Sequence, residues 1–108
     1  MTINSLILTL MSYYFIANIR IRDEKKYQLY LDEAESIFKR FKGEYLAVDG
    51  HPVILEGHWD YTRTVLIKFD NKNDFDEWYN SEAYQNILKH RLGAADCDTV
   101  LAEGYANK

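Results

Sequence analysis

The spacing of apolar residues along this chain switches between two periods, and it runs through the same cycle twice. From Tyr13 to Ile21 it alternates: Phe15, Ala17, Ile19 and Ile21 fall on one side, and Ile16, Asn18 and Arg20 on the other. A period of two marks a half-buried strand. From Tyr27 the period becomes helical, through Tyr30, Leu31, Ala34, Phe38 and Phe41, with Asp23 offering an N-cap and Glu24 a carboxylate in the first turn. Gly43 is expected to end that helix in a left-handed conformation. Glu44 to Val48 predicts a second strand, and Asp49-Gly50 a tight turn. His51-Pro52 keeps the chain extended, and Val53 to His58 is expected to return as a hairpin arm or strand extension.

The second cycle opens at Arg63, with Val65, Ile67 and Phe69 on one face of a strand. Asn71, with Asp74 three residues on, caps a second helix whose stripe is Phe75, Trp78 and Tyr79. Ser81 recaps the chain, and Tyr84, Ile87, Leu88 and Arg91 carry a helical face to Gly93. After a short loop, Thr99 to Glu103 is the expected last strand. The order is that of an α+β, ferredoxin-like β-α-β-β-α-β fold, with both helices on one face of an antiparallel sheet. Ile16, Leu66 and Leu101 are expected on the bare face, and a second copy of the sheet is its economical cover.

A chain of 108 residues has material for one core. The domain is expected over residues 11–108. Residues 1–10 are expected to be an N-terminal extension outside it, with Met11, followed by Ser12, an alternative start. Thirteen Lys and Arg against seventeen Asp and Glu give a net charge of −4, which argues against nucleic acid or an anionic membrane as partner. The only tight basic group, Lys39, Arg40 and Lys42, suits a helix C-terminus. Asn18 and Arg20 interrupt the apolar run at the N-terminus, so a membrane span is not expected. Cys97 is the single cysteine, expected in a loop; it allows neither an internal disulfide nor a cysteine metal cluster, and a cytoplasmic location is the natural expectation.

Several groups of residues carry a more specific pattern. They are Leu55-Glu56-Gly57, Trp59, Arg63, Phe69, Trp78-Tyr79, Ser81, Tyr84, Arg91-Leu92, Ala94-Ala95-Asp96 and Glu103-Gly104, preceded by Tyr27-x-x-Tyr30 and Gly43-x-Tyr45-Leu46-Ala47. From Tyr13 to Tyr105 the chain resembles the domain of unknown function family 1330 (DUF1330), of the dimeric α/β-barrel superfamily. The resemblance implies a fold and a homodimer, and no settled activity. It departs from the family at His58, where Asp is frequent, and at Asp60-Tyr61-Thr62, which replaces a Pro-containing turn.

Candidate ligand-binding residues follow from residue type and position. Glu56-x-His58 places a carboxylate and an imidazole on one side of an extended segment, an acid/base pair or half a metal site, with His51 the available third ligand; a structural pair is the simpler reading and no metal is expected. Asn18 and Arg20 would face a dimer's enclosed cavity, where Arg20 suits a carboxylate unless it pairs across the interface. Arg63 and Arg91 anchor Glu56, Asp96 or Glu103, or else recognise an anion. Trp59, Trp78, Tyr79 and Tyr84 serve either core or pocket. Heme-degrading relatives in the superfamily pair an Asn like Asn18 with a Trp like Trp78, but the position of their axial His is Leu88 here, and His90 lies about 200° around the helix. No cofactor is expected. The expected function is a dimer holding a small apolar or aromatic acid in its barrel cavity, as a cofactor-independent oxygenase or isomerase; the alternative is a non-catalytic binding or regulatory module.

Overall fold

A computed structural model describes residues 11–105 of the chain. The alternating segment Tyr13–Ile21 (β1) is central in a four-stranded antiparallel sheet of order β2-β3-β1-β4, with β2 at Gly43–Asp49, β3 at Arg63–Phe69 and β4 at Ala95–Glu103. The helices are α1 (Glu24–Phe38), α2 (Lys72–Tyr79) and α3 (Glu82–Ala94). This is the ferredoxin-like α+β architecture that the two periods predict. Among the described residues no helix is long and apolar enough to cross a membrane. The expected extension, residues 1–10, lies outside the described residues.

The helix starts are set by the side chains expected to set them. Asp23 accepts from the Lys26 amide at 3.0 Å, Asn71 from the Asp74 amide at 2.8 Å, and Ser81 from the Tyr84 amide at 3.1 Å. Each satisfies an amide that the first helical turn leaves without a partner. All three helices cover one sheet face, which supplies Phe15, Ala17, Ile19, Val65, Ile67 and Phe69 to the core. Trp78 is the centre of that core, with ring centroids 5.6 Å from Phe15, Phe38 and Phe69 and 4.3 Å from Tyr84.

Four local expectations are corrected. Gly43 is not a left-handed stop; it opens β2 where the backbone passes close under two rings. A Cβ there would lie 2.6 Å from Phe38 Cζ and 2.7 Å from Phe69 Cε1. Gly43→Ala is therefore expected to destabilise the fold by roughly 1–3 kcal/mol through overpacking, read as a lower denaturation midpoint at unchanged slope. Next, Asp49-Gly50 does not close a tight hairpin. Asp49 Oδ1 accepts from the His51 amide at 2.8 Å, and residues 50–62 then run as an irregular connection with no strand at Val53 to His58. This connection is anchored at its far end, where Thr62 donates its amide to Ile19 O and accepts from the Ile21 amide through Oγ1.

The third correction concerns β4, which begins at Ala95, directly after α3, so Cys97 is a strand residue paired with Ile19 rather than a loop residue. The helix passes through Gly93 without stopping. The fourth follows from that register: Leu101 pairs with Phe15 and packs on the helix side, whereas Val100, opposite Ile16, is the residue on the bare face. With Ile16, Leu66 and Val100 adjacent across three strands, that face presents an apolar strip that no helix of the described chain covers.

Candidate functional site

The bare face holds Asn18 and Arg20, and both are already partnered within the chain. Arg20 reaches Asp96 on the neighbouring strand at 2.6 Å, Arg22 reaches the other oxygen of Asp96 at 3.1 Å, and Asn18 Oδ1 accepts from Thr64 at 3.3 Å. The hydrogen bond and charge of Arg20 hold the Asp96 carboxyl below its ordinary range. Nearby, Tyr61 donates to Asp98 at 2.5 Å. Glu56 and His58 project from the 50–62 connection and are exposed; Gly57 between them has φ +82°, so they do not share one side of an extended segment, and His58 lies 3.6 Å from Asp60 instead. Among the described residues no three His, Cys, Asp or Glu side chains are grouped to hold a metal ion.

The helix side of the sheet has a different chemistry. Arg63 lies on the same face of β3 as Val65 and Ile67, and Arg91 comes off α3 one helical face with Tyr84, Ile87 and Leu88. The two arginines line a cavity of about 40 Å³ beneath α1, together with Tyr27, Tyr30, Tyr45 and Trp78. The Arg63 guanidinium carbon is 5.9 Å from the centroid of the Tyr27 ring, and that of Arg91 is 5.6 Å from the Tyr30 ring. Tyr30 and Tyr84 share a 2.8 Å hydroxyl–hydroxyl contact, and Arg91 Nη2 donates to the Tyr84 hydroxyl at 3.5 Å. Arg91 is only 2% exposed.

What distinguishes this cavity is an excess of donors. Arg91 Nε, Arg91 Nη1, Arg63 Nε and Trp78 Nε1 are all buried without a hydrogen-bond partner, and every one is an N–H group. Among the described residues neither arginine pairs with a carboxylate. Burial acts against the Arg91 charge, the phenols of Tyr84 and Tyr30 act for it, and the balance holds its pKa above the ordinary value. Burial likewise pushes Tyr27, Tyr30 and Tyr84 up, and takes Tyr45 to about 12. At neutral pH the cavity therefore contains a fixed guanidinium among uncharged phenols.

These phenols fix the sign of the alkaline response. A tyrosine whose folded pKa is raised binds its proton more tightly in the native state, so its contribution is complete below the unfolded value near pH 10 and declines above it. Thermal stability is accordingly expected to fall from about pH 10 toward pH 12 as tyrosinate absorbance appears with unfolding. Tyrosinate forming in the folded protein well below pH 10 would contradict the burial described.

Of the residues singled out by the sequence, Arg63, Trp78 and Arg91 meet at this cavity, with Tyr84 behind Arg91. Asn18 and Arg20 lie through the sheet from it, and Glu56 and His58 stand apart on the connection. Trp59 is half-buried on that connection, with its ring 5.0 Å from that of Tyr61. Tyr27, Tyr30 and Tyr45 were not among the candidates. The signal for the first two was their place in the helical stripe, since a phenol inside a core needs a polar neighbour. On the outer side of the helices, His90 lines a groove between α1 and α3, while Leu88 is buried in the core.

Solved structures with the same fold are distant in sequence. A protein of unknown function from Rhodopseudomonas palustris superposes with a TM-score of 0.73 at 16% identity, over 97% of this chain and 93% of that one. SnoaB of Streptomyces nogalater, described as a cofactor-independent oxygenase, gives 0.63 at 9% identity, over 91% and 95%. A protein of unknown function from Thermobifida fusca, described as dimeric and ferredoxin-like, gives 0.62 at 16% identity, over 90% and 92%. No curated protein matches the sequence. Residues 12–105 match the family model of the domain of unknown function DUF1330, and the chain belongs to that family.

Proposed function

We propose that this chain is a homodimeric small-molecule-binding protein that takes the acid group of an organic anion into the cavity between α1 and the sheet. The observation that carries the reading is the set of four buried N–H donors, two of them on Arg91, with no acceptor in reach. A buried donor without a partner costs about 1–3 kcal/mol, and more when charged, so this arrangement is favourable only with an acceptor-rich group in place. A carboxylate supplies negative charge and several lone-pair sites in one planar group, and guanidinium geometry matches it.

Binding is favoured over acid/base catalysis because neither a carboxylate nor an imidazole lines the cavity, and its phenols are held protonated. A general base with a pKa near the working pH is what proton-abstracting chemistry requires. The likeness to SnoaB extends to the fold. Direct titration with acetate, benzoate and phenylacetate tests the reading. Affinity for at least one of them, flat between about pH 6 and 9, is expected; no heat and no thermal shift with any would overturn it.

The dimer rests on the bare sheet face, with its strip of Ile16, Leu66 and Val100, and on the dimeric description of the Thermobifida protein. An uncovered apolar face is a liability for a monomer. Light scattering is expected to give twice the chain mass at micromolar concentration, and a monodisperse monomer would remove the dimer from this reading.

A further inference from the structure

The cavity at Arg91 is too small for a whole ligand. Its volume of about 40 Å³ accommodates a carboxylate or a few waters, while a cavity near 150 Å³ is of the size that takes up benzene. The body of any acid held there must leave past one of the lining residues. Arg63 gives the direction, because it lines this cavity and also a second, wider groove of about 540 Å³ formed under the 50–62 connection. That groove has Trp59, Tyr61, Ile54 and Pro52 as apolar walls, with Glu24 and His51 at its edge. Trp59, on its wall, carries one further buried donor without a partner, Nε1.

We infer that cavity and groove form one two-ended binding site, whose ligand is an elongated organic acid with its carboxylate at Arg91 and a second, uncharged acceptor such as a carbonyl at Trp59. The inference rests on the acid reading above. Glu24 and Arg63 border the groove with opposite charges, so a neutral acceptor suffices at Trp59. An indole N–H is a donor only, so its partner must be an acceptor. Arg63 borders both compartments, and its buried Nε has no partner.

The test compares near-isosteric acids that differ in one acceptor: 4-acetylbenzoate against 4-isopropenylbenzoate, and 5-oxohexanoate against 5-methylhexanoate. Dissociation constants are measured by calorimetry on the full chain and on Trp59→Phe, which keeps a ring beside Tyr61 and removes the donor. In the wild-type protein at least one carbonyl acid is expected to bind roughly five- to a hundredfold tighter than its partner, the ratio for satisfying one buried donor. In Trp59→Phe that ratio should fall to about one, because only the carbonyl acids lose a hydrogen bond there. If carbonyl and hydrocarbon acids bind equally well to the wild-type protein, or if the ratio persists in the variant, the two-ended site is wrong while the acid reading stands. If none of the four acids binds, both are wrong. Circular dichroism of Trp59→Phe confirms that a collapsed ratio is not a folding defect.

Discussion

Arg91→Met is expected to weaken binding of every acid by at least about a hundredfold and, at the same time, to raise the melting temperature of the unliganded protein. The two effects have one origin. Arg91 is a guanidinium at 2% exposure that, among the described residues, hydrogen-bonds only to a neutral phenol, so its buried charge has no counter-charge among them. Exchanging buried ionic groups for apolar ones of similar volume is neutral or stabilising by roughly 1–4 kcal/mol. Methionine retains most of the stem and adapts to irregular space. Each charge-assisted hydrogen bond to a carboxylate contributes about 1.5–3 kcal/mol, and Arg91 offers two free donors, from which the hundredfold follows. Thermal melts with and without acid separate the outcomes. Wild type should shift upward with acid, while the variant should start higher and not move. A variant that melts lower and still binds would show that Arg91 is a structural residue only.

Trp78→Ala is expected to cause a large loss of stability. Removing a buried tryptophan costs about 3–5 kcal/mol, a large share of the 5–15 kcal/mol that holds an ordinary domain. For a domain of this size each kcal/mol moves the midpoint by about 4–8 °C. Trp78 also joins α2 to β1, β3 and α3 through its contacts with Phe15, Phe69 and Tyr84, so the void cannot close by moving one element. Trp78→Phe is the informative companion. It keeps a ring in the cluster and deletes an N–H that has no partner, so its cost should be at most about a third of that for alanine. A Phe variant as unstable as the Ala variant would mean that the indole nitrogen is bonded in the native protein.

Helix starts and strand faces were legible in the sequence because their causes are local. Asp23, Asn71 and Ser81 bond to amides three residues on, and the alternation of β1 and β3 survives intact in their buried faces. What was misread depended on contacts distant in sequence. Gly43 looks like a helix stop until Phe69 is placed against it, and the pattern puts the start of β4 at Thr99 because nothing local shows a helix passing into a strand without a loop. Its true start at Ala95 fixes the register that exchanges Leu101 for Val100 on the bare face. The cavity was half legible. Arg63 shares the parity of Val65, Ile67 and Phe69, and Arg91 the helical face of Ile87 and Leu88, so two cations in phase with core stripes were visible from spacing. That they meet each other under Tyr30 required the antiparallel pairing of β1 with β3 and the packing of α1 on α3.

The seam between α3 and β4 has a consequence for how chains of this architecture can change length. Ala94 is the last helical residue and Ala95 the first of the strand, and the Ala94 carbonyl accepts from both the Arg22 and Asp23 amides at 2.8 and 3.0 Å. A single residue inserted there has no slack to absorb it. It would either turn α3 by about 100° and carry Arg91 out of the cavity, or advance β4 by one and expose its inward side chains. Residues 50–58 form no strand or helix and are tied at their start by Asp49, with Tyr61 and Thr62 holding the far end of the connection, so extra residues between them disturb neither helix phase nor strand parity. Insertions and deletions are therefore channelled into the segment that roofs the outer groove. Within this architecture the far end of a ligand can be re-specified by altering the length of that segment, while the grip on its acid group is held to one frame.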